Sequence, residues 1–390
     1  MPKPSALPRP RTLAVAAVIV PVFLAGLFTA FSGKYSQAQD PKKFQLGFGG
    51  ALLGNLATYG LSNFYGLEYA VLKANALSGV MGQQVEIVTE DDSCNPAMAS
   101  AAATKLISSG LKIIMGHSCS GATRSALSVY GNNVLLISSS ATETSLTESG
   151  QYPYFFRTTP RDDVQVKLQL ALIKKKGFKK IAILHDKGDH GQTVAELTRD
   201  LIKAQGQNGP ELVIYEGLTA GQISFDAIIS KIKDAQAEAV VWCGYYNDAA
   251  KLVTQMRQKR VTTAMIGFDG LYDPRYVNIA QQAAEGTYCT GQVDYSRNQA
   301  AKEALADHQK RHSEDVGSYF FYAIGAAQAL FAALDKTNNP EDFAGIKKHL
   351  NEDTVETVIG PVRFDTKGDV IGAGFKVFLI QQGRYTEVAL

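Results

Sequence analysis

Few cysteines, a single long apolar segment and an almost balanced charge characterise this sequence of 390 residues. It contains four cysteines and one tryptophan, and its formal charge at pH 7 is +2. Neither a Gly-x-Ser-x-Gly nucleophile elbow nor a phosphate-binding loop occurs, and the glycine cluster GFGG lacks dinucleotide-binding spacing. No basic patch is interleaved with aromatic residues, which argues against nucleic acid as a partner. We therefore expect neither an enzyme nor a nucleic-acid-binding protein, and we expect no metal or other cofactor.

The long apolar segment lies at the N-terminus. Lys3, Arg9 and Arg11 precede it, residues 13–31 carry no charge, and a small-x-small tripeptide ends at Ala38. A charged start, an apolar middle and a small-residue exit predict a secretory signal peptide over 1–38, with cleavage after Ala38. An uncleaved membrane anchor is the alternative, because the apolar run is long for a signal peptide.

Removal of this segment changes what the composition implies. Residues 1–38 hold four basic residues and no acidic ones, so the remaining chain has a formal charge of about −2. Roughly 350 residues remain, which is more than one ordinary hydrophobic core accommodates, so the length predicts two domains. No second long apolar run follows, and we expect the exported part to be soluble.

The predicted export decides how the cysteines are interpreted. Paired cysteines usually form disulfides in an oxidising compartment. Cys94 and Cys119 have only His117 nearby as a further metal ligand, which does not match a zinc pattern, so we interpret them as a structural disulfide. Cys243 and Cys289 each lie in a strand-like run, and the sequence leaves open whether they are free buried thiols or a second bridge.

Apolar runs of strand length alternate with helical stretches along the chain. The alternation occurs twice, over about 44–142 and about 165–290, and the connections are short. Such alternation predicts an α/β fold of two doubly wound lobes, each a parallel sheet with helices on both faces. The C-terminal part adds an apolar helix at 319–336 and then a strand, a turn and a strand. We expect the chain to cross between the lobes again there.

In open parallel sheets, ligands bind beyond the carboxyl ends of the strands. Hydroxyls there can bind a carboxylate, an acidic residue can bind an ammonium group, and aromatic rings can form a pocket wall. The residues at these positions therefore favour a zwitterion, an amino acid: Tyr59, Ser118, Ser120, Ser140, Ala141, Thr142, His190, Tyr245, Tyr246 and Asp269. Taken singly, the same serines and threonines are typical helix caps, and an aspartate before glycine is typical of a turn.

Taken together, stretches along most of the chain resemble one known family. They are EDDSCNPAMA, IMGHSCSGAT, LISSSATET, IAILHDKGDHG, GLTAGQISFDAIISKIK, GYYNDAAKLVTQMR, AAEGTYCTG and VIGPVRFDTKGD. This chain resembles the branched-chain amino acid binding proteins of bacterial ABC importers, which have the type I periplasmic binding protein fold. The resemblance implies a periplasmic, monomeric solute-binding protein. It implies lobe one at 44–160 plus 294–370, lobe two at 161–293 plus 371–390, a hinge of crossover segments between them, and an ABC permease as partner.

The resemblance also assigns roles to residues. Ser120 and the backbone of Thr142 would bind the ligand carboxylate. The Ser140 carbonyl, the Thr142 hydroxyl and Asp269 would bind the ammonium group. The side-chain pocket would be lined by Tyr59, Ser118, Cys119 and Tyr245, with an aromatic residue from YFFY, either Tyr319 or Phe321. His190 would face the ligand from lobe two. The disulfide would fix the turn that carries Ser120.

Three residues differ from the usual family pattern. His190 stands where tyrosine is common, Ser118 where an apolar residue is common, and Asp269 where glutamate is frequent. Because of these three differences, the sequence does not decide whether the bound amino acid has a branched aliphatic side chain or a small or polar one. The alternative function is an extracytoplasmic sensory or regulatory protein of the same fold that binds an amide or another small solute.

Overall fold

The computed structural model describes residues 43–295 and 298–390. The predicted signal peptide, over 1–38, lies outside the described residues. None of the described helices is long and apolar enough to cross a membrane.

The first lobe is built on a sheet from the N-terminal part of the described chain. Its elements are β1 (Phe44–Gly50), α1 (Ala57–Leu77), β2 (Val85–Asp91), α2 (Pro96–Ser108), β3 (Ile113–Gly116), α3 (Ser120–Tyr130), β4 (Leu135–Ser138), α4 (Ser145–Glu148) and β5 (Phe155–Arg157). The five strands are parallel, in the order β2-β1-β3-β4-β5. The order places the ends of β3 and β4 side by side, next to β1.

The second lobe follows with the same alternation. Its elements are α5 (Asp162–Lys176), β6 (Lys180–His185), α6 (Asp189–Ala204), β7 (Glu211–Gly217), α7 (Asp226–Asp234), β8 (Ala239–Cys243), α8 (Tyr246–Gln258), β9 (Ala264–Gly267), α9 (Pro274–Ala280) and β10 (Tyr288–Gln292). All five of these strands pair in parallel.

The last part of the chain returns to the first lobe and then completes the second. The elements are α10 (Gln299–Arg311), α11 (Phe320–Thr337), α12 (Phe343–Glu352), β11 (Val355–Thr357), β12 (Gly360–Val362), β13 (Phe375–Gln381) and β14 (Arg384–Val388). Helix α11 packs against α1, and β13 pairs with β10. The second sheet therefore has the order β14-β13-β10-β9-β8-β6-β7.

Two features of this fold differ from the prediction from sequence. The second sheet is mixed, because β13 and β14 form an antiparallel hairpin on an otherwise parallel sheet. A tight turn at 382–383 joins them, and such a turn can connect only antiparallel strands. The strand β5 was not predicted, because it has only three residues and is too short to give a periodic pattern.

Both faces of each sheet are covered by apolar helix faces. In the first lobe, α1, α10 and α11 cover one face while α2 and α3 cover the other. In the second lobe, α7, α8 and α9 cover one face while α5 and α6 cover the other. Strands such as β8, AVVWC, are buried along their whole length, as expected for parallel sheets covered on both sides.

Local signals explain where the helices near the site begin and end. Helix α2 starts with Asn95, whose side chain accepts from two backbone N–H groups, and with proline at its first turn. Helix α5 has acidic residues in its first turn, three lysines in its last, and a left-handed Gly177 after it. Gly66 lets α1 approach α11 closely, since a Cβ there would lie 2.4 Å from the Phe320 carbonyl oxygen. That contact sets α11, and with it Tyr319, beside α1.

Candidate functional site

A cavity of about 280 Å³ lies between the carboxyl ends of the two sheets. Residues after β3 and β4 form its first-lobe wall, and residues after β8 and β9 form much of its second-lobe wall. The lining residues are Tyr59, Ser118, Cys119, Ser120, Ser140, Thr142, His190, Tyr245, Asp269, Gly270 and Tyr319. Ten of these eleven positions were predicted from the sequence as ligand-binding candidates.

The turn between β3 and α3 is held from several sides. The disulfide Cys94–Cys119 joins it to the start of α2, with the two Cα atoms 5.4 Å apart. His117 is fully buried, with Nδ1 2.6 Å from Asp92 Oδ2 and Nε2 3.0 Å from the Tyr130 hydroxyl. These contacts fix the direction in which the residues after His117 leave the sheet.

A buried asparagine on α1 connects the two serine turns. Asn63 Nδ2 lies 3.2 Å from Ser118 Oγ and 2.6 Å from Ser140 Oγ, and it donates to both. Ser140 Oγ donates in turn to the Ser118 carbonyl oxygen at 2.7 Å. Ser118 and Ser140 are therefore held at a fixed separation on the cavity wall.

The N-terminus of α3 faces the same cavity. Cys119 is the residue before the helix and has an extended backbone, and Ser120 is the first helical residue. The N–H groups of a first helical turn have no partner within the helix and carry a partial positive charge. This end of the cavity is suited to an anionic group such as a carboxylate.

On the second-lobe side, Asp269 is the acidic residue that lines the cavity. Gln165 Nε2 donates to Asp269 Oδ1 at 2.9 Å, and the Tyr319 hydroxyl donates to Asp269 Oδ2. Burial raises the pKa of Asp269, while His190, Tyr319 and Gln165 act in the opposite direction. A buried carboxylate so placed is a counter-charge for a cation in the cavity.

His190 lies beside a second carboxylate, Asp162. The Nδ1 atom is 3.5 Å from Asp162 Oδ2, and both side chains are buried. Burial alone would lower the pKa of His190, but the carboxylates of Asp162, Asp269 and Asp186 outweigh it and raise that pKa to about 9. His190 is therefore a buried cation at neutral pH.

One imidazole and two carboxylates would also suit a divalent metal, and the ligand atoms of Asp162, His190 and Asp269 lie within 4.8 Å of one another. Without a metal the surrounding acids keep His190 protonated, so a metal would have to displace that proton in order to bind. Gln165 also donates to one oxygen on each carboxylate. We interpret the cluster as an ion-pair network.

Away from the cavity, His308 lies in the last turn of α10, and His312 directly follows that helix. Their Nε2 atoms already contact the Glu314 carbonyl oxygen at 2.7 Å and Glu68 Oε2 at 2.7 Å. This pair therefore has structural partners.

Tyrosines close the cavity. The ring centroid of Tyr59 lies 5.5 Å from that of Tyr245 and 6.2 Å from that of Tyr319. The Tyr59 hydroxyl donates to the Gly270 carbonyl oxygen at 2.8 Å, which connects α1 of the first lobe to the second. Tyr246 makes a similar contact, from its hydroxyl to the Asn55 carbonyl oxygen at 2.9 Å.

Three predicted candidates do not line the cavity: Ala141, Phe321 and Tyr246. Ala141 is fully buried and packs in the apolar cluster under α2 and α3. Phe321 lines a separate cavity of about 680 Å³, while Tyr319 lines the candidate site. Residues two positions apart at a helix start point in nearly opposite directions, so only one of these two aromatics can face the site.

Four residues of the site were not predicted from the sequence. Asn63 lies mid-helix, where nothing in a single sequence distinguishes it from a surface residue. Asp162 and Gln165 follow β5, and the rule of strand ends would have found them had that short strand been recognised. Gly270 contributes to the wall beside Asp269, and a glycine carries no side-chain signal.

Cys243 and Cys289 are both free and buried. Neither lines the cavity. The alternative of a second bridge between them is therefore not realised in the structure.

Comparison with known proteins agrees with this architecture. The family model described as periplasmic binding protein matches residues 43–383. The Leu/Ile/Val-binding protein of Escherichia coli (strain K12) is 32% identical over 357 residues, covering 91% of this chain and 95% of that protein. A leucine-, isoleucine-, valine-, threonine- and alanine-binding protein of Pseudomonas aeruginosa is 31% identical, with the same coverage.

A solved structure gives the same result at the level of the fold. The branched-chain amino acid transporter substrate-binding protein of Streptococcus pneumoniae, in complex with isoleucine, superposes with a TM-score of 0.78 and 27% identity. The match covers 88% of this chain and 98% of that one. The relatives are binding proteins, in agreement with the expectation that this chain is not an enzyme. The chain belongs to the periplasmic binding protein family of the type I fold, in the group of the Leu/Ile/Val-binding proteins.

Proposed function

We propose that this protein captures an amino acid between its two lobes in the periplasm and delivers it to an ABC permease. The observation that carries this proposal is the polarity of the cavity. The N-terminus of α3, with Ser120, lies at one side, and the carboxylate of Asp269 lies at the other. An α-amino acid is a small molecule that presents an anion and a cation at a fixed short separation.

The carboxylate would be bound by Ser120 and Thr142. Both side chains are buried, at 3% and 2% exposed, and both line the cavity. The first-turn N–H groups of α3 add to the attraction, since they carry the positive end of the helix dipole. Hydrogen bonds to a charged group strengthen when water is excluded.

The ammonium group would be bound by Asp269, the Ser140 carbonyl oxygen and the Thr142 hydroxyl. Gln165 and Tyr319 orient Asp269 by hydrogen bonds to its two oxygens. A preoriented carboxylate loses less freedom on binding than a mobile one. The aspartate is one methylene shorter than glutamate, so the ligand would sit closer to β9.

The relatives support an amino acid with a branched-chain, aliphatic or small side chain. The E. coli relative is a Leu/Ile/Val-binding protein, and the S. pneumoniae structure contains isoleucine. The candidate site, at about 280 Å³, is much smaller than the separate cavity of about 680 Å³ beside Phe321, which favours a compact ligand.

The two lobes would close over the ligand by a hinge motion. We assign 44–160 plus 294–370 to lobe one and 161–293 plus 371–390 to lobe two, with the hinge in the crossover segments. The contacts from Tyr59 to Gly270 and from Tyr246 to Asn55 span the lobes and would form on closure. Closure removes water from the charged ends of the ligand.

The remaining features of the proposal concern location and partners. Residues 1–38 would direct export and be removed after Ala38, and the exported chain would act as a monomer. The closed form would dock on the membrane permease of an ABC importer. N-terminal mass spectrometry of the protein recovered from the periplasm checks the cleavage site, since retention of residues 1–38 would indicate an anchor.

The function is tested by ligand-induced stabilisation. The purified protein is unfolded and refolded to remove bound ligand, and its melting temperature is measured with each of the twenty amino acids and with simple amides. A ligand at a hundred times its Kd stabilises by about 2.7 kcal/mol. Over roughly 350 residues this corresponds to a rise of about 4 °C. A rise with amides alone would favour the sensory alternative, and no rise with any amino acid would refute the proposal.

A further inference from the structure

Two hydroxyl groups on the cavity wall have no acceptor for their hydrogens among the described residues. Ser118 Oγ accepts from Asn63 but donates to no described protein atom, and the Tyr245 hydroxyl has no described hydrogen-bond partner. Both residues line the cavity, and neither is assigned to the carboxylate or ammonium end of the ligand. Both belong to the region that would surround the ligand side chain.

The direction of the hydrogen bonds around Ser118 follows from proton counting. Ser140 has one hydroxyl hydrogen, which it donates to the Ser118 carbonyl oxygen at 2.7 Å. Ser140 Oγ must therefore accept at its 2.6 Å contact with Asn63, so the NH₂ group of Asn63 is the end that faces both serines. Ser118 Oγ then also accepts from this NH₂ group, and its own hydrogen remains available to another acceptor.

The Asn63 oxygen does not compete for this hydrogen. Asn63 Oδ1 is buried and has no hydrogen-bond partner, so it accepts no hydrogen from Ser118 Oγ. Ser118 Oγ also packs closely on the backbone of Gly50, since a Cβ on that glycine would lie 2.6 Å from it. Ser118 is therefore a fixed donor.

Ser118 lies at a suitable distance from the carboxylate end. Cys119 between Ser118 and Ser120 is extended, with φ −106° and ψ 143°, so the two serine side chains lie on the same side of the chain. In an extended chain, residues two apart are separated by about 7 Å. This spacing matches a compact amino acid that is hydrogen-bonded through its carboxylate at one end and its side chain at the other.

Tyr245 adds a second donor. Burial raises the pKa of its phenol well above the ordinary value, so it remains protonated and can donate. An aliphatic side chain in this pocket would leave both donors facing carbon, and a buried donor without an acceptor weakens binding.

We propose that the ligand carries a hydrogen-bond acceptor on a small side chain, a hydroxyl or carboxamide oxygen, and that Ser118 selects for it. This inference rests on the proposed function, because it names the side chain of the amino acid bound at the same site. It places threonine, serine and asparagine ahead of valine, alanine and leucine.

Isosteric pairs provide the test. Threonine and valine have the same shape, as do asparagine and leucine, and each pair differs by an acceptor. Dissociation constants are measured by calorimetry on the refolded protein for both pairs. We expect the polar member of at least one pair to bind between about fivefold and a hundredfold more tightly, the range expected for an unsatisfied buried donor.

A variant then assigns the selection to Ser118. Ser118→Ala should reduce the polar-to-apolar affinity ratio by about threefold or more, mainly by improving the binding of the apolar member, while Tyr245 continues to favour the polar one. Ser128→Ala, an exposed serine on α3, is the matched control and should leave the ratio unchanged. The comparison on the unmodified protein stands even if the variant does not fold.

The outcomes separate the two proposals. Tighter binding of valine or leucine than of threonine or asparagine overturns this inference and leaves the proposed function intact. A polar-to-apolar affinity ratio that Ser118→Ala leaves unchanged overturns the role of Ser118. If no amino acid binds, the proposed function itself fails.

Discussion

The buried cation His190 makes the stability of the ligand-free protein depend on pH in a defined range. Its pKa is about 9 in the folded protein, against an ordinary value of 6.5. The folded state therefore binds this proton more tightly than the unfolded chain does. The resulting stabilisation is fully present below pH 6.5 and is lost as the pH rises through 9.

The size of this stabilisation follows from the folded and the ordinary pKa of His190. At 1.36 kcal/mol per pKa unit, the difference corresponds to about 3 kcal/mol. Solvent does not screen this stabilisation appreciably, because His190 is only 5% exposed. The partners are the carboxylates of Asp162, Asp269 and Asp186, which face it from α5, the segment after β9 and the segment after β6.

The assay is urea unfolding at a series of pH values from 6 to 10. His190→Gln cannot titrate, so its free energy of unfolding should lack the fall that the unmodified protein shows between pH 6.5 and 9. His185→Gln is the matched control, because burial lowers the pKa of His185 and places its titration below this range. Equal pH profiles for the unmodified protein and His190→Gln would refute the ion-pair interpretation of the cluster.

Further predictions concern binding, the disulfide and closure. Asp269→Asn should weaken amino acid binding by at least about thirtyfold, because the ligand ammonium group would lose its buried counter-charge; calorimetry measures this, and an unchanged Kd would exclude Asp269 from the ammonium site. Replacing Cys94 and Cys119 by serine should lower the free energy of unfolding by about 3 kcal/mol, since the bridge spans 25 residues; a reductant should destabilise the unmodified protein and not this variant. Tyr59→Phe removes a hydrogen bond between the lobes worth about 1 kcal/mol, so affinity should fall about fivefold; an unchanged Kd would show that this bond contributes nothing to the closed form.

The arrangement of the strands was largely predictable from the sequence. Apolar runs such as those of β6, β8 and β9 predicted buried parallel strands, and the ends of β8 and β9 led to Tyr245 and Asp269. The hydroxyl turns after β3 and β4 were found in the same way. These residues could be predicted because chain direction and burial pattern determine their position.

The interactions behind the cavity wall could not be predicted. Gln165 lies 104 residues before Asp269 in the chain, and Asn63 lies 77 before Ser140. No pattern within a single sequence pairs residues that far apart. The choice between Tyr319 and Phe321 depended on the rotation of α11, which is set by its packing on Gly66 of α1 rather than by its own periodicity.

The two free cysteines make one half of this molecule chemically distinguishable from the other. Cys243 in β8 and Cys289 in β10 are both fully buried in the second sheet, and burial raises the pKa of each thiol. The first lobe holds its two cysteines as a disulfide, so it offers no thiol to an alkylating reagent. Alkylation in the native protein therefore requires the second sheet to open, and opening of the first sheet does not change its rate. The rate at which the protein is labelled measures the local stability of one lobe in the intact chain, without an introduced probe.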